Sequence, residues 1–287
     1  MHDINGYHQL GFTLPQATIT KTGGRCSTAR AFLAPLKKRK NLHVLTFCHV
    51  TRVLINHYNQ AYGVEFDHFG ERKQVFANRE VILSAGSVNT PQLLMLSGIG
   101  PKRHLQQFGI KVRSDLPVGM NLQDHIYPLG LNVIAESSWK PKYEQWTYLQ
   151  SDVHTIPNLF RYFRNGEGPV SSIGALEGLA FVRTPRANKT LPDLPDIEIH
   201  FLSGCLSSDD GHTFHKRMGI SSEIWKQTFQ PFVRSECFTM FPVLLKPKSR
   251  GWIKLASTDP YDAPLINPRY LSHPEDIKIL LMYYNIH

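Results

Sequence analysis

The residues best placed to do chemistry lie in one uncharged stretch, SAGSVNTPQLLMLSGIGP, from Ser84 to Pro101. Ala85, Gly86 and Ser87 are small, and small residues at the end of a buried strand let a ligand approach the backbone closely. A helix starting after them would point free N–H groups and a partial positive charge at an anion such as a pyrophosphate. A ligand-binding edge and tight packing without a ligand both fit this pattern, and packing is the commoner outcome.

A second candidate is Asp124-His125, which closes the stretch DLPVGMNLQDH. A carboxylate that orients an imidazole can form an acid/base pair near neutral pH. Adjacent residues on an extended chain point to opposite faces, however, so the pattern favours a structural turn.

Other catalytic and metal motifs are absent from the sequence. Gly98-Ile99-Gly100 resembles the start of GxGxxG, but it follows a helix rather than a strand, and neither HExxH nor GxSxG occurs. His212 and His215 lie in a loop rich in Gly and Asp, which favours surface histidines.

The four cysteines form no CxxC, which argues against zinc. We expect buried free thiols. The alternative is one or two disulfides, if the protein is in an oxidising compartment. The four are Cys26, Cys48, Cys205 and Cys237.

Composition excludes several classes of protein. The 287 residues are 41% hydrophobic and 19% charged, as in a globular chain of one large or two modest domains. The net charge is +9, but the only dense basic run, Lys37 to Lys40, stands alone, so we expect a solvated turn and no nucleic-acid binding. The uncharged run from Val81 to Pro101 is interrupted by polar residues and Pro91, which argues against a membrane span.

The amino terminus, MHDINGYHQLGFT, has neither the basic nor the apolar region of a signal peptide. It reads like the middle of a domain, and the compartment is left open. A secreted protein would need a signal peptide upstream of Met1, and only then would the sequon at Asn188 to Thr190 matter.

Local patterns predict the elements that position these residues. Ser27 is a cap for a short helix over Ala29 to Leu36, and two strands are expected within NLHVLTFCHVTRVLINH. A meander with a turn at Gly70 leads into EVILSAG, whose three consecutive large apolar residues predict a strand buried on both faces.

Two helices should follow this strand. Thr90 is the expected cap of the first, Pro91 its first residue and Gly98 its end. Pro101 and Gly109 bracket the second.

Beyond a domain boundary near 126, the segment 128–168 reads as irregular. DIEIHFL and RGWIKLAST predict strands of a largely antiparallel sheet, and residues 205–234 read as an insertion between strands.

Together these blocks resemble the glucose-methanol-choline (GMC) family of FAD-dependent oxidoreductases, in particular its insect glucose-dehydrogenase-like branch. The match is densest in Gly86-Ser87-x-x-Thr90-Pro91-x-Leu93-Leu94-x-x-Ser97-Gly98-Ile99-Gly100, which fits the family's second signature at every defined position. Flanking blocks agree in order, and the likeness is weakest between about 140 and 235. These blocks are GGRCSTARAFLAP, RKNLHVLTFCHVTRVLI, AYGVEF, REVILSAG, DLPVGMNLQDH and KPKSRGWIKLASTDPYDAPLINPRYL.

The resemblance implies a fold that mixes α/β and α+β parts. Residues 1–125 would be part of a Rossmann-like FAD-binding domain, 126–246 a substrate domain on an antiparallel sheet, and 247–287 the start of the carboxy-terminal region. The cofactor would be FAD. The adenine would meet the backbone of Val50, Ala85 and Gly86 would lie against the cofactor, and Asp124 and His125 would fall near the domain junction.

The resemblance also implies oxidation of an alcohol or sugar by hydride transfer to the flavin. The family's GxGxxG region would lie upstream of Met1 and its catalytic His block downstream of His287, so no residue here can be named as the catalytic base. We therefore expect an internal fragment that binds FAD weakly or not at all. The alternative is a truncated, non-catalytic product that binds a partner or nothing.

Overall fold

A computed structural model of the protein describes residues 3, 6–128, 131–135, 146–187, 190, 193–209, 211 and 214–284. The chain forms two compact units. The first, called the signature unit because it holds the stretch 84–101, joins residues 40–124 and 247–277. The second, the sheet unit, joins residues 1–39, 125–246 and 278–287. The assignment of three functional domains to residues 1–125, 126–246 and 247–287 stays a prediction.

The described residues contain twelve strands and seven α-helices. The strands are β1 (Gly11–Thr13), β2 (Cys48–Ile55), β3 (Ala61–His68), β4 (Glu71–Phe76), β5 (Ile99–Gly100), β6 (Ser114–Asp115), β7 (Leu131–Ile134), β8 (Leu176–Val182), β9 (Ile197–Leu202), β10 (Cys237–Leu244), β11 (Trp252–Lys254) and β12 (Leu265–Asn267). The helices are α1 (Gly86–Leu96), α2 (Lys102–Gln107), α3 (Gln150–Val153), α4 (Ile156–Asn165), α5 (Phe214–Arg217), α6 (Ser222–Thr228) and α7 (Pro274–Tyr284).

In the signature unit, β2, β3 and β4 form the antiparallel meander that the sequence predicts, with the turn at Gly70. The segment 41–47 is not a strand, so only one of the two strands expected there exists. Two apolar clusters join α1 to its surroundings. One contains Val53, Ile55 and Leu93, and the other Met95, Leu105 and Leu255.

The strand predicted for EVILSAG is wrong. Residues 81–84 have no regular structure, and the side chain of Ile82 is 76% exposed. A strand buried on both faces needs neighbours on both edges, and among the described residues none pairs with this segment. The apolar residues of this segment are buried on one side only, where Val81 and Leu83 pack against the cluster that contains Val53 and Leu93.

The helix ends are better predicted than the helix starts. Gly98 follows α1 with φ +91°, and Gly109 follows α2 with φ +68°, as expected. Helix α1 begins four residues before Thr90, so Thr90 is not its cap and Pro91 lies inside it. The predicted helix 29–36 is a π-helical turn, Ala29–Leu33, followed by a 3₁₀ turn, Ala34–Leu36. The Ser27 Oγ accepts a hydrogen bond from the Arg30 N–H at 3.2 Å.

The sheet unit is built on a five-stranded antiparallel sheet of order β1-β8-β9-β10-β7. This confirms the strand predicted for DIEIHFL. RGWIKLAST also contains a strand, β11, which pairs with β12 in a separate ladder. The segment expected to be irregular contains β7, α3 and α4, and its proline at the start of α4 and Gly166 at the end were signals for a helix.

Residues 205–234 form the expected insertion between β9 and β10, and they are held by a disulfide. Cys205 and Cys237 are bonded, with a Cα–Cα distance of 6.0 Å, so the expectation of four free thiols is wrong for this pair. Spacing did not reveal it because the two meet only when β10 pairs with β9. Cys26 and Cys48 are free and partly exposed.

The prediction that His212 and His215 are surface histidines is wrong for His215. His215 is 3% exposed and its ring lies 5.5 Å from that of Trp225, so it is a core residue of the insertion. His212 lies outside the described residues, as do Asn188 and Lys189 of the sequon. Within the described residues, no helix is long and apolar enough to cross a membrane.

Candidate functional site

The stretch 84–101 divides into an exposed half and a buried half. Residues 84–87 and 89 are exposed, whereas most of residues 92–100 are buried, including Met95, Ser97 and Gly98. The sequence pattern fits both packing and ligand binding for the whole stretch. The structure assigns packing to the second half and leaves the first half open to solvent.

In the buried half, the Ser97 hydroxyl makes two hydrogen bonds that stabilise the fold. Its Oγ donates to the Leu93 carbonyl oxygen at 2.7 Å and accepts a hydrogen bond from the Val53 N–H at 2.9 Å. β2 is the end strand of its sheet, so Ser97 takes the place of a neighbouring strand for this N–H.

We predict that Ser97→Ala lowers the free energy of unfolding by about 1–2 kcal/mol, because the buried Val53 N–H loses its acceptor. Ser87→Ala is the matched control. Ser87 is exposed, so its substitution should change stability by less than about 0.5 kcal/mol. Urea unfolding followed by circular dichroism measures both, and equal stability of the two variants would contradict this role for Ser97.

Gly98 explains why the buried half ends in glycine. Its φ is +91°, and an added Cβ would lie 2.5 Å from the Lys111 carbonyl oxygen. Both the left-handed conformation and the close approach exclude larger residues.

The exposed half has a different character at Gly86. Its φ is +86°, yet an added Cβ would meet no atom within 4 Å. The Ala85 N–H before it is held by the Thr90 Oγ at 3.0 Å, so the backbone here is fixed rather than loose. A fixed, uncharged and open backbone surface is suited to close contact with a flat ligand.

A cleft of about 400 Å³ adjoins this surface within the signature unit. Its walls are the first turns of α1, the loop that includes the NLQ of DLPVGMNLQDH, and β11. The lining residues are Ser87, Pro91, Pro117, Gly119, Met120, Asn121, Leu122, Gln123 and Ile253.

The loop wall of this cleft is held by β11 through main-chain hydrogen bonds. The Ile253 N–H donates to the Gly119 carbonyl oxygen at 2.7 Å, and Leu122 and Gly251 exchange two bonds of 3.1 and 2.8 Å. Residues 247–255 therefore position the loop, which the sequence did not indicate.

Val50 lies on β2, with 36% of its surface exposed. Because β2 is an end strand, one edge of its backbone has no strand partner among the described residues.

The structure gives Asp124 and His125 separate partners. The Tyr270 hydroxyl donates to the Asp124 carboxylate at 2.5 Å, and this bond raises the pKa of Tyr270. The His125 Nδ1 donates to the Leu244 carbonyl oxygen at 3.0 Å. No hydrogen bond between the two is seen among the described residues, which agrees with the structural interpretation rather than with an acid/base pair. No metal-binding cluster of His, Cys, Asp or Glu occurs in the described part of the chain.

Comparison with known proteins connects this geometry to a family. Residues 1–127 match the amino-terminal family model of the GMC oxidoreductases, and residues 247–285 match the carboxy-terminal one. The chain belongs to the GMC oxidoreductase family. The two matches contain the whole exposed half of the signature, the cleft loop and β11.

Curated GMC relatives are similar over nearly the whole chain. The glucose dehydrogenase [FAD, quinone] of Drosophila melanogaster is 36% identical over 98% of this chain and 41% of its own length. The alcohol dehydrogenase [acceptor] of Pseudomonas putida is 38% identical, over 97% and 46% respectively. An oxygen-dependent choline dehydrogenase of Rhizobium rhizogenes is 37% identical, over 96% and 44%. The chain thus spans less than half the length of these relatives.

Solved GMC structures share the fold. A formate oxidase variant of Aspergillus oryzae RIB40, studied for its FAD modification, aligns with a TM-score of 0.70 at 26% identity, over 96% of this chain and 47% of its own. Pyridoxine 4-oxidase from Mesorbium loti, at 23% identity, aligns with a TM-score of 0.69 over 97% and 45%.

A second cavity lies in the sheet unit of this GMC chain, and no sequence motif indicated it. It has a volume of about 430 Å³ and lies on β8, β9 and β10 beside the insertion. Its residues come from segments far apart in the sequence, most of them in the region where the family resemblance is weakest, and the folded sheet brings them together.

Proposed function

We propose that this chain provides part of the cofactor-binding and substrate-binding surface of an FAD-dependent oxidoreductase that acts on CH–OH groups of alcohols or sugars. The observation that carries the proposal is the fixed and open backbone at Gly86 within the GMC signature. FAD, when bound, supplies the acceptor for the hydride that leaves the alcohol carbon.

The residues present fit such a cofactor in three respects. Gly86 leaves free the space that a Cβ would fill, and the Ala85 backbone is fixed by Thr90. Along its outer edge at Val50, β2 has no strand partner among the described residues. We assign close contact with the cofactor to Ala85 and Gly86 and a backbone contact with the adenine to Val50. The cleft beside Ser87 and Pro91 gives the cofactor a wall whose position β11 holds.

We assign no catalytic base. Removal of the alcohol proton has to accompany hydride transfer, and two of the described histidines already use a ring nitrogen on the backbone. His125 uses its Nδ1 on Leu244, and His104 accepts a hydrogen bond from the Leu255 N–H at 3.0 Å through Nε2. Burial lowers the pKa of His104, which keeps this acceptor neutral.

Saturation-transfer NMR with FAD tests the cofactor assignment on the chain itself, because it detects weak binding. We expect transfer to the FAD ring protons, reduced at least tenfold in Gly86→Leu. Gly70→Leu is a matched control, since Gly70 has φ +83° and equally open surroundings but lies in the β3–β4 turn. Absence of transfer in the wild type, or equal loss in both variants, would overturn the assignment.

A flavin test separates this proposal from the alternative, a non-catalytic product. Bound flavin that is bleached by an alcohol supports an oxidoreductase. A purified chain that neither holds flavin nor gives FAD transfer in NMR supports the alternative.

A further inference from the structure

The cavity of the sheet unit carries information about the ligand because its lining is mostly aliphatic and aromatic. Its walls are the face of β8, β9 and β10 and the start of the insertion. The lining residues are Tyr127, Tyr148, Ile173, Gly174, Ala175, Leu176, His200, Leu202, Gly204, Cys205, Leu206, Ser208, Met218, Thr239 and Phe241. A cavity of about 430 Å³ is well above the ~150 Å³ that holds benzene, so it has room for a ligand of one or two rings.

Two of the hydroxyl groups in this lining already have partners within the protein. The Thr239 hydroxyl donates to the Gly204 carbonyl oxygen at 2.8 Å. The Ser208 Oγ accepts a hydrogen bond from the Cys205 N–H at 3.0 Å. These groups therefore offer little to the many hydroxyls of a free sugar, and each buried hydroxyl left unpaired weakens binding about 5- to 150-fold.

A small number of neutral hydrogen-bonding groups remains. Tyr148 is partly buried, and burial raises the pKa of its hydroxyl, so it stays a neutral donor. The His200 Nε2 lies 3.1 Å from the Glu198 carboxylate, which leaves Nδ1 as its second ring nitrogen. Such a set suits one alcohol group rather than a polyol.

The charge of the lining excludes a strongly charged ligand. None of the described lining residues is Asp, Glu, Lys or Arg. Tyr127 and Phe241 pack edge to face on each other at 5.2 Å, so part of the ring surface that could attract a quaternary ammonium is covered. Ile173, Leu176, Leu202, Leu206 and Met218 form the rest of the wall, and a cation beside them would lose its hydration without a counter-ion.

We infer that the substrate of the proposed oxidoreductase is a neutral alcohol with a predominantly apolar body, and that this cavity binds that body; the inference rests on the proposed function. Each CH₂ group buried here strengthens binding roughly fourfold. A glucose-like polyol or a choline-like cation gains far less from the same walls. The structure thus distinguishes between the substrate classes named in its curated relatives.

Ligand titration of the purified chain tests this inference. We choose cyclohexylmethanol as the apolar alcohol, with glucose and choline as competitors, and follow saturation-transfer NMR. Cyclohexylmethanol is expected to bind at least tenfold more tightly than either competitor. Equal or tighter binding of glucose or choline overturns the inference, as does failure of cyclohexylmethanol to bind.

A pair of variants locates the binding. Met218→Trp places a large ring in the cavity and should weaken cyclohexylmethanol binding at least tenfold. Ile224→Trp makes a similar change at an exposed position of α6 outside the lining and should leave binding unchanged. Equal effects of the two variants would overturn the assignment to this cavity.

The outcomes separate this inference from the proposed function. If FAD transfer is absent while cyclohexylmethanol binds and Met218→Trp weakens it, the proposed function fails and the ligand class stands. If FAD binds at Gly86 but glucose or choline binds best, the proposed function stands and the inference fails.

Discussion

Asp276→Ala is expected to lower the free energy of unfolding by about 3–5 kcal/mol, one of the largest effects of any single substitution in the signature unit. The Asp276 side chain has no exposed surface. Its carboxylate accepts hydrogen bonds from the Lys248 N–H at 2.7 Å, the Ser249 N–H at 2.9 Å and the Ser249 hydroxyl at 2.6 Å. Removing it leaves these donors without an acceptor. Urea unfolding gives the free energy directly.

Two further variants make the result specific. Asp276→Asn keeps the shape and one oxygen but places an amide N–H₂ against a donor, so an intermediate loss is expected. Glu80→Ala removes an exposed carboxylate and should cost less than about 0.5 kcal/mol. A loss for Asp276→Ala no larger than that for Glu80→Ala would contradict the buried network.

The same network fixes the pH dependence of the difference between wild type and Asp276→Ala. Burial alone would raise the pKa of Asp276, but the bonds from the Ser249 hydroxyl and from the backbone N–H groups of Lys248 and Ser249 together hold it below the ordinary value of 3.8. The pKa in the folded state is therefore below that in the unfolded state. The stabilisation is fully present above the unfolded value and is lost as the pH falls through the folded one. The difference between the proteins should be constant near neutral pH and shrink in acid.

Local signals predict those parts of the fold that local physics determines. Gly98 and Gly109 end their helices because only glycine adopts the required positive φ without strain, and both positions are readable from the sequence. The meander β2-β3-β4 follows from alternation and the turn at Gly70. These features depend on neighbours within a few residues.

Features that depend on distant partners were not predictable in the same way. EVILSAG has the pattern of a buried strand, but a strand exists only where another pairs with it, and none of the described strands does. Helix α1 begins at Gly86, four residues before the predicted cap, and the Thr90 hydroxyl instead accepts a hydrogen bond from the Ala85 N–H. The alternation of apolar and polar residues in β9 could be predicted from the sequence, whereas the cavity on the face of this strand could not.

The two halves of the stretch 84–101 differ in how much of their sequence packing explains. The second half is explained by packing: Ser97 pairs with β2, and Gly98 meets Lys111. Gly86 has no such packing reason, since the space before it is open. Its φ of +86° favours glycine on backbone grounds alone, so the feature that packing leaves unexplained is the open space beside Gly86 rather than the glycine itself.

Removal of the disulfide, in the double variant Cys205→Ala and Cys237→Ala, is expected to lower the free energy of unfolding by about 3–4 kcal/mol. The two cysteines are 32 residues apart, and a cross-link over such a loop restricts the unfolded chain by about that amount. Both are buried, and the bond ties the first residue of β10 to the start of the insertion. Unfolding of the oxidised wild type, the reduced wild type and the double variant measures the effect, and the last two should agree.

Free cysteines supply the control, and the cavity supplies a second measurement. Cys26→Ala and Cys48→Ala should retain the stability of the wild type under both redox conditions, because neither is cross-linked. Cys205 also lines the cavity of the sheet unit, so loosening the insertion should weaken cyclohexylmethanol binding in the double variant. Alkylation of all four thiols in the unreduced protein would contradict the pairing. Protection of two of them would confirm the bond between Cys205 and Cys237.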